Sequence, residues 1–253
     1  MTTYVLIHGA GDVGWSWHLV ERELRAKGHD VVAPDLPVDD ERATFSDYAD
    51  TVVQAVGDRA GDDLVVAGIS FGGYTAPIVA DRLDAKHLVL VAPMVPQPGE
   101  SPHAMFEATG YAQETQEDTS ERAVFLHDVP EDLAAEALSR GRPQAEAIWS
   151  EPWPLASWPD VPVTVVLGRN DRLFPVAWLR QVVQDRLGVT PIELESSHTV
   201  SLARPVELAD ILVGVLAPEP ATGTGVSDKS IVSDGSSRGT AGRTSCTTSG
   251  RVE

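Results

Sequence analysis

The chemistry of this chain concentrates in one short run, Gly68-Ile69-Ser70-Phe71-Gly72-Gly73. It follows the apolar stretch LVVAG and precedes a helix-period stretch. A serine on a sharp strand-to-helix turn sits in strained backbone geometry. Its neighbours two residues to either side must be small for the chain to pack closely. Such a turn lifts the hydroxyl clear of the sheet. It also aims the next N–H, that of Phe71, at a developing oxyanion. This arrangement suits nucleophilic attack on a carbonyl.

A serine is inert without a base, so a histidine and a carboxylate must accompany it. With a turn of this kind they follow in the order Ser, acid, His, on loops at the carboxyl ends of later strands. After the run VTVVL comes Gly168-Arg169-Asn170-Asp171, which puts Asp171 just past a strand end. After Ile192–Leu194 comes Glu195-Ser196-Ser197-His198, which puts His198 past the next one. A second oxyanion donor is expected from the first strand-to-helix loop, His8-Gly9-Ala10-Gly11-Asp12-Val13-Gly14. Its small residues allow close approach, and the Ala10 N–H is the candidate.

The competitors fit less well. His18, His29 and His87 fall within or beside helices and strand starts. His103, His127 and the adjacent Asp128 precede the last two strands, which is the wrong chain order. Asp160 sits ahead of its strand, at the wrong end of a sheet. Glu193 and Glu195 flank the last strand and could replace Asp171 only by rearrangement. His8 reads as a buried residue organising its own loop. No histidine pair has metal-ligand spacing, so no metal site is expected.

These residues need a scaffold. Strands are predicted at Tyr4–His8, Val31–Ala33, Leu64–Gly68, Leu88–Val91, Val163–Leu167 and Ile192–Leu194. They are short and apolar throughout, as strands buried on both faces are. Helices are predicted at Trp17–Lys27, Ser46–Arg59, Gly72–Leu83, Val176–Leu187 and Pro205–Leu216. The alternation predicts an α/β fold with a doubly wound, mainly parallel six-stranded sheet. It breaks between Met94 and Asp160, where helix-favouring pieces (Ala104–Ala108, Asp132–Ser139) give way to a Pro- and Trp-rich end. We read a core of 1–93 and 161–218, a helical lid insertion over 94–160, and a disordered tail over 219–253. The tail has 19 Ser, Thr or Gly among its 35 residues, too few apolar groups to offset the entropy of ordering.

Composition narrows the function. The 253 residues carry a net charge of −19, which argues against nucleic acid and against anionic membrane surfaces. The lid holds 13 acidic and 3 basic residues, so more than half of that charge sits there. No run is long and apolar enough to span a bilayer, and the N-terminus shows no secretory signal, so a cytoplasmic location is the default. A single cysteine, Cys246, leaves no internal disulfide.

At these motifs the sequence resembles the α/β-hydrolase superfamily. The motifs are Leu6-Ile7-His8-Gly9-Ala10, Trp15-Ser16-Trp17, Ala33-Pro34-Asp35-Leu36-Pro37, Gly68-Ile69-Ser70-Phe71-Gly72-Gly73, Gly168-Arg169-Asn170-Asp171 and Ser197-His198. They spread over most of residues 4–216. Within the superfamily the chain is similar to the plant methylesterase and hydroxynitrile-lyase-like branch and its bacterial relatives. Its first strand starts almost at Met1, and the lid falls between the sixth and seventh strands of the family pattern. The resemblance implies Ser70 as nucleophile, His198 as base and then acid, Asp171 as its orienter, and Ala10 and Phe71 as the oxyanion hole. It implies no cofactor. Lyase members carry a lysine beside the catalytic histidine. Thr199 stands there, which disfavours cyanohydrin cleavage.

The expected function is a serine hydrolase acting on small neutral esters through an acyl-enzyme. Two alternatives stand beside it: a lyase or cofactor-free oxidative enzyme on the same fold, or a non-catalytic small-molecule receptor. Met94, Phe106, Phe125 and Trp149 are expected to line an apolar pocket under the lid, with Met105, Tyr111 and Trp153 as further candidates. The lid's charge should favour neutral or cationic substrates. The partner is then a small-molecule ester, and the oligomeric state is not legible.

Overall fold

A computed structural model describes residues 1–59, 63–111 and 117–216. The tail expected over 219–253, with Cys246, lies outside the described residues.

Six strands form one sheet: β1 (Thr3–Ile7), β2 (Asp30–Val32), β3 (Leu64–Ile69), β4 (His87–Val91), β5 (Val163–Gly168) and β6 (Ile192–Leu194). Their order is β2-β1-β3-β4-β5-β6, and every pairing is parallel. Each predicted strand is present, with ends shifted by a residue at most positions.

The continuous apolar runs follow from burial on both faces. Successive side chains of a strand point to opposite faces. Val5 and Ile7 of β1 accordingly join one core layer, and Tyr4 and Leu6 join the other. Helices α1 (His18–Ala26) and α9 (Pro205–Gly214) cover the Tyr4–Leu6 face through Val20, Leu24, Leu208 and Leu212. Helices α2 (Phe45–Val56), α3 (Gly72–Arg82) and α7 (Val176–Leu187) cover the other. Helix α2 shows the local logic. Phe45, Tyr48, Ala49, Val52 and Val56 make its buried stripe, and Thr44 caps its start in a reciprocal pair with Asp47.

Between β4 and β5 the described residues contain helices and no strand. Helices α4 (Pro102–Ala108), α5 (Glu121–Phe125) and α6 (Glu131–Arg140) are followed by a single 3-10 turn at Ala147–Ser150. Helices α4 and α6 were expected; α5 and the four-residue α8 (Val200–Ala203) were not, both being too short to show a helical period.

Candidate active site

Ser70 lies between β3 and α3 with φ of 54°, a left-handed conformation that a side chain other than glycine rarely adopts. Neighbouring backbone holds it there. Its N–H donates to Val91 O at 2.9 Å, and its carbonyl accepts from the N–H groups of Gly73 and Met94, each at 3.0 Å. The flanking glycines are sterically required. A Cβ on Gly68 would stand 2.7 Å from Ala76 Cβ, and one on Gly72 would stand 2.9 Å from the carbonyl oxygens of Ile7 and His8.

Asp171 and His198 meet at 2.7 Å, Asp171 Oδ2 accepting from His198 Nδ1. Both side chains are buried. The other carboxylate oxygen, Oδ1, accepts from the N–H groups of Leu173 (2.8 Å) and Phe174 (2.9 Å), so the carboxylate has little freedom to turn. Gly168 makes the approach of the two loops possible. A Cβ there would fall 2.4 Å from Ser197 O, which passes directly over the end of β5. The His198 ring stands edge-on to Phe125 and Phe174, at 5.5 and 5.2 Å between centroids. Its Nε2 is buried and has no hydrogen-bond partner among the described residues.

The first loop arches over Ser70. A Cβ on Gly9 would stand 3.8 Å from Ser70 Oγ. The Ala10 and Phe71 N–H groups have no acceptor among the described residues. His8 is buried at the base of this loop. Its Nδ1 lies 2.9 Å from Gly9 O, and its Nε2 accepts the Leu36 N–H at 3.0 Å. That pattern fixes a neutral imidazole with its proton on Nδ1. Burial pushes its pKa down.

One cavity of about 810 Å³ joins these parts, and its walls include Ser70, His198, Ala10 and Phe71. Met94, Phe106, Phe125 and Trp149 also line it, as does Tyr111. Met105 and Trp153 do not. Met105 is buried in the main core, and the Trp153 indole turns inward to donate to Tyr74 O at 2.8 Å. Leu173 and Phe174 line it as well and were not foreseen. The Tyr111 hydroxyl donates to Leu173 O at 2.9 Å, and burial beside Asp171 pushes its pKa up to about 12. Tyr111 is therefore a neutral donor. Asp12 and Glu121 also line the cavity, and burial pushes the Asp12 pKa up. Arg142 lines it too, with its guanidinium turned to Asp39 and to Leu36 O.

The rejected candidates have structural duties. His127 Nε2 lies 2.9 Å from Asn170 O, while Asp128 accepts the Ser197 N–H at 2.9 Å. One braces the loop carrying Asp171 and the other the loop carrying His198. Glu193 and Glu195 pair with Arg169, at 3.2 and 2.8 Å. His18 stacks on Trp15, and His87 meets Thr164 Oγ1 at 2.9 Å. Among the described residues no group of three His, Cys, Asp or Glu side chains converges in a way that could hold a metal ion. No helix among them is long and apolar enough to cross a membrane.

A parallel sheet of this order, with a strained serine after its third strand and an Asp–His pair after its last two, is the frame of a known family. A family profile described as the alpha/beta hydrolase family matches residues 4–211, and the chain belongs to that family. Its relatives are those of the plant methylesterase-like branch and bacterial counterparts. It is 30% identical over 115 residues to Methylesterase 7 of Arabidopsis thaliana, covering 41% of this chain and 44% of that protein. It is 34% identical over 110 residues to the carbendazim hydrolyzing esterase of Nocardioides sp. (strain SG-4G), covering 40% and 46%. The aligned stretch thus spans less than half the length of these curated relatives. Among solved structures, polyneuridine aldehyde esterase superposes with a TM-score of 0.72 at 20% identity, covering 85% of this chain and 99% of that one. That likeness shows the shared fold.

Proposed function

We propose that this chain is a carboxylic ester hydrolase working through Ser70, His198 and Asp171. The observation that carries the reading is the unpartnered, buried Nε2 of His198. It lines the same cavity as Ser70 while Asp171 holds the opposite ring nitrogen at 2.7 Å. Two relatives, named as a methylesterase and as an esterase, support the same activity.

In this reading the Ser70 Oγ–H proton moves to His198 Nε2 as Oγ attacks the ester carbonyl carbon. The carbonyl electron pair becomes an oxyanion facing the Ala10 and Phe71 N–H groups. Loss of one such donor typically costs ~2.7–4 kcal/mol of transition-state stabilisation. The tetrahedral centre collapses, the alcohol oxygen takes the proton from His198, and the acyl group remains on Ser70. Water, deprotonated by His198, then attacks the acyl-enzyme and releases the acid. Asp171 fixes the imidazole tautomer and stabilises the imidazolium.

Residues 1–93 and 161–218 are the catalytic core in this account, and 94–160 form the lid over the cavity. The substrates are small neutral esters, bound against Met94, Phe106, Phe125 and Trp149, and no cofactor takes part in any step. The test is turnover of p-nitrophenyl acetate by the wild type and by Ser70→Ala. The variant keeps its circular dichroism spectrum and loses turnover. A folded Ser70→Ala with unchanged turnover overturns the proposal.

A further inference from the structure

Gly11 is gripped from both sides by a segment more than 130 positions further along the chain. Its N–H donates to Gln144 Oε1 at 3.0 Å, across 133 positions. Its carbonyl accepts the Arg142 N–H at 2.7 Å. Gly11 has φ of +64°, and a Cβ there would stand 3.0 Å from Arg142 O, so the two segments meet through bare backbone.

The Gln144 amide is itself fixed. Its Nε2 donates to Val38 O at 3.2 Å and to the Tyr48 hydroxyl at 3.1 Å. With donors committed at one end, the oxygen must face Gly11. The adjacent Ala145 N–H also donates to Val38 O, at 2.7 Å, which ties the segment down a second time.

These bonds bear on Ala10. The Gly9–Ala10 peptide carries the Ala10 N–H, and its carbonyl lies 2.9 Å from His8 Nδ1. The next peptide, Ala10–Gly11, carries the N–H that Gln144 holds. Two consecutive peptide planes flank the Ala10 α-carbon, and each is anchored by one side chain. A trans peptide is planar, so anchoring one of its polar groups orients the other.

We infer that Gln144 is a positioning residue for the oxyanion loop: by holding the Gly11 N–H it fixes the far side of the Ala10 α-carbon, while His8 holds the near side, and the two together keep the Ala10 N–H aimed at the reacting carbonyl oxygen. This rests on the serine-hydrolase reading above. The segment after α6 is then part of the catalytic apparatus as well as of a cover. Without the amide oxygen the Ala10–Gly11 peptide loses the side chain that orients it. Small misplacements of catalytic groups are costly.

The experiment compares wild type, Gln144→Met and Glu41→Ala, with Gln144→Ala carrying the same test if Gln144→Met does not fold. Each is measured for kcat and KM on p-nitrophenyl acetate and for inhibition by an aliphatic trifluoromethyl ketone. Ser70 Oγ adds to that ketone, its proton passing to His198 and the carbonyl pair becoming an oxyanion in the same hole. Gln144→Met lowers kcat by about tenfold to a hundredfold, with KM within about threefold. Ketone binding weakens in the same proportion as kcat/KM. Glu41→Ala, which removes the carboxylate that accepts the Glu146 and Ala147 N–H groups but leaves every Gln144 bond in place, stays within about twofold of the wild type in kcat.

A Gln144→Met enzyme with wild-type kcat overturns the inference. So does a lowered kcat with unchanged ketone binding, or an equal loss in Glu41→Ala, since either outcome means general loosening. A wild type that neither hydrolyses the ester nor binds the ketone overturns the serine-hydrolase reading itself, and the inference with it.

Discussion

Asp171 and His198, 27 residues apart in sequence, share a 2.7 Å hydrogen bond whose geometry is set by two backbone amides. The N–H groups of Leu173 and Phe174 both donate to Asp171 Oδ1, which leaves Oδ2 for the imidazole. In Asp171→Asn the same two amides hold the side-chain oxygen and turn the new amide NH2 toward His198 Nδ1. That nitrogen must then accept, and the proton moves to Nε2, where it cannot receive one from Ser70. The expected result is a kcat lower by up to about 10⁴-fold in a folded protein. Steady-state kinetics beside a thermal melt check it, and a loss below about tenfold contradicts the role given to Asp171.

The legibility of this molecule divides by range. Strands β1, β3, β4 and β5 were readable because burial on both faces writes continuous apolar runs into the sequence, while the three-residue β2 and the partly exposed β6 were readable from their place in the alternation. The positions of Ser70, Asp171 and His198 were readable because each follows the end of one of these strands. The steric need for Gly68 and Gly72 was likewise visible from their spacing around Ser70. What could not be read were contacts between distant segments. Nothing local marks Gln144 as the partner of Gly11, or Asp128 as the partner of Ser197. Met105 and Trp153 were expected in the cavity because they are large, apolar and in the insertion. They turn into the core instead, and composition does not say which way a side chain faces.

Charge should select among substrates. The insertion is strongly acidic, and Asp12 and Glu121 line the cavity. Arg142, in the same wall, spends its guanidinium on Asp39 and Leu36. A carboxylate-bearing ester is expected to show a lower kcat/KM than a neutral one of equal size at low salt. The gap should narrow as salt screens the field. A preference for the anionic ester contradicts this account.

His8 gives a dependence on pH. Its Nε2 must stay unprotonated to accept the Leu36 N–H. Burial holds its pKa below the ordinary 6.5, against the opposing pull of the Gly9 carbonyl, Asp12 and Asp35. Below about pH 6.5 the unfolded chain therefore binds more protons than the folded one at this site. The stability His8 contributes is complete above that pH and is lost as pH falls toward the folded value. Between about pH 7.5 and about pH 5.5, Tm should fall more steeply in the wild type than in His8→Gln. Equal slopes in the two proteins count against the assignment.

Every step proposed above depends on Ser70 as the nucleophile, activated by His198. The most direct measurement is labelling with a fluorophosphonate probe, followed by peptide mass mapping. One label per chain is expected, on Ser70, absent in Ser70→Ala and strongly slowed in His198→Ala. A label on any other residue, or no label on a chain that hydrolyses esters, contradicts it.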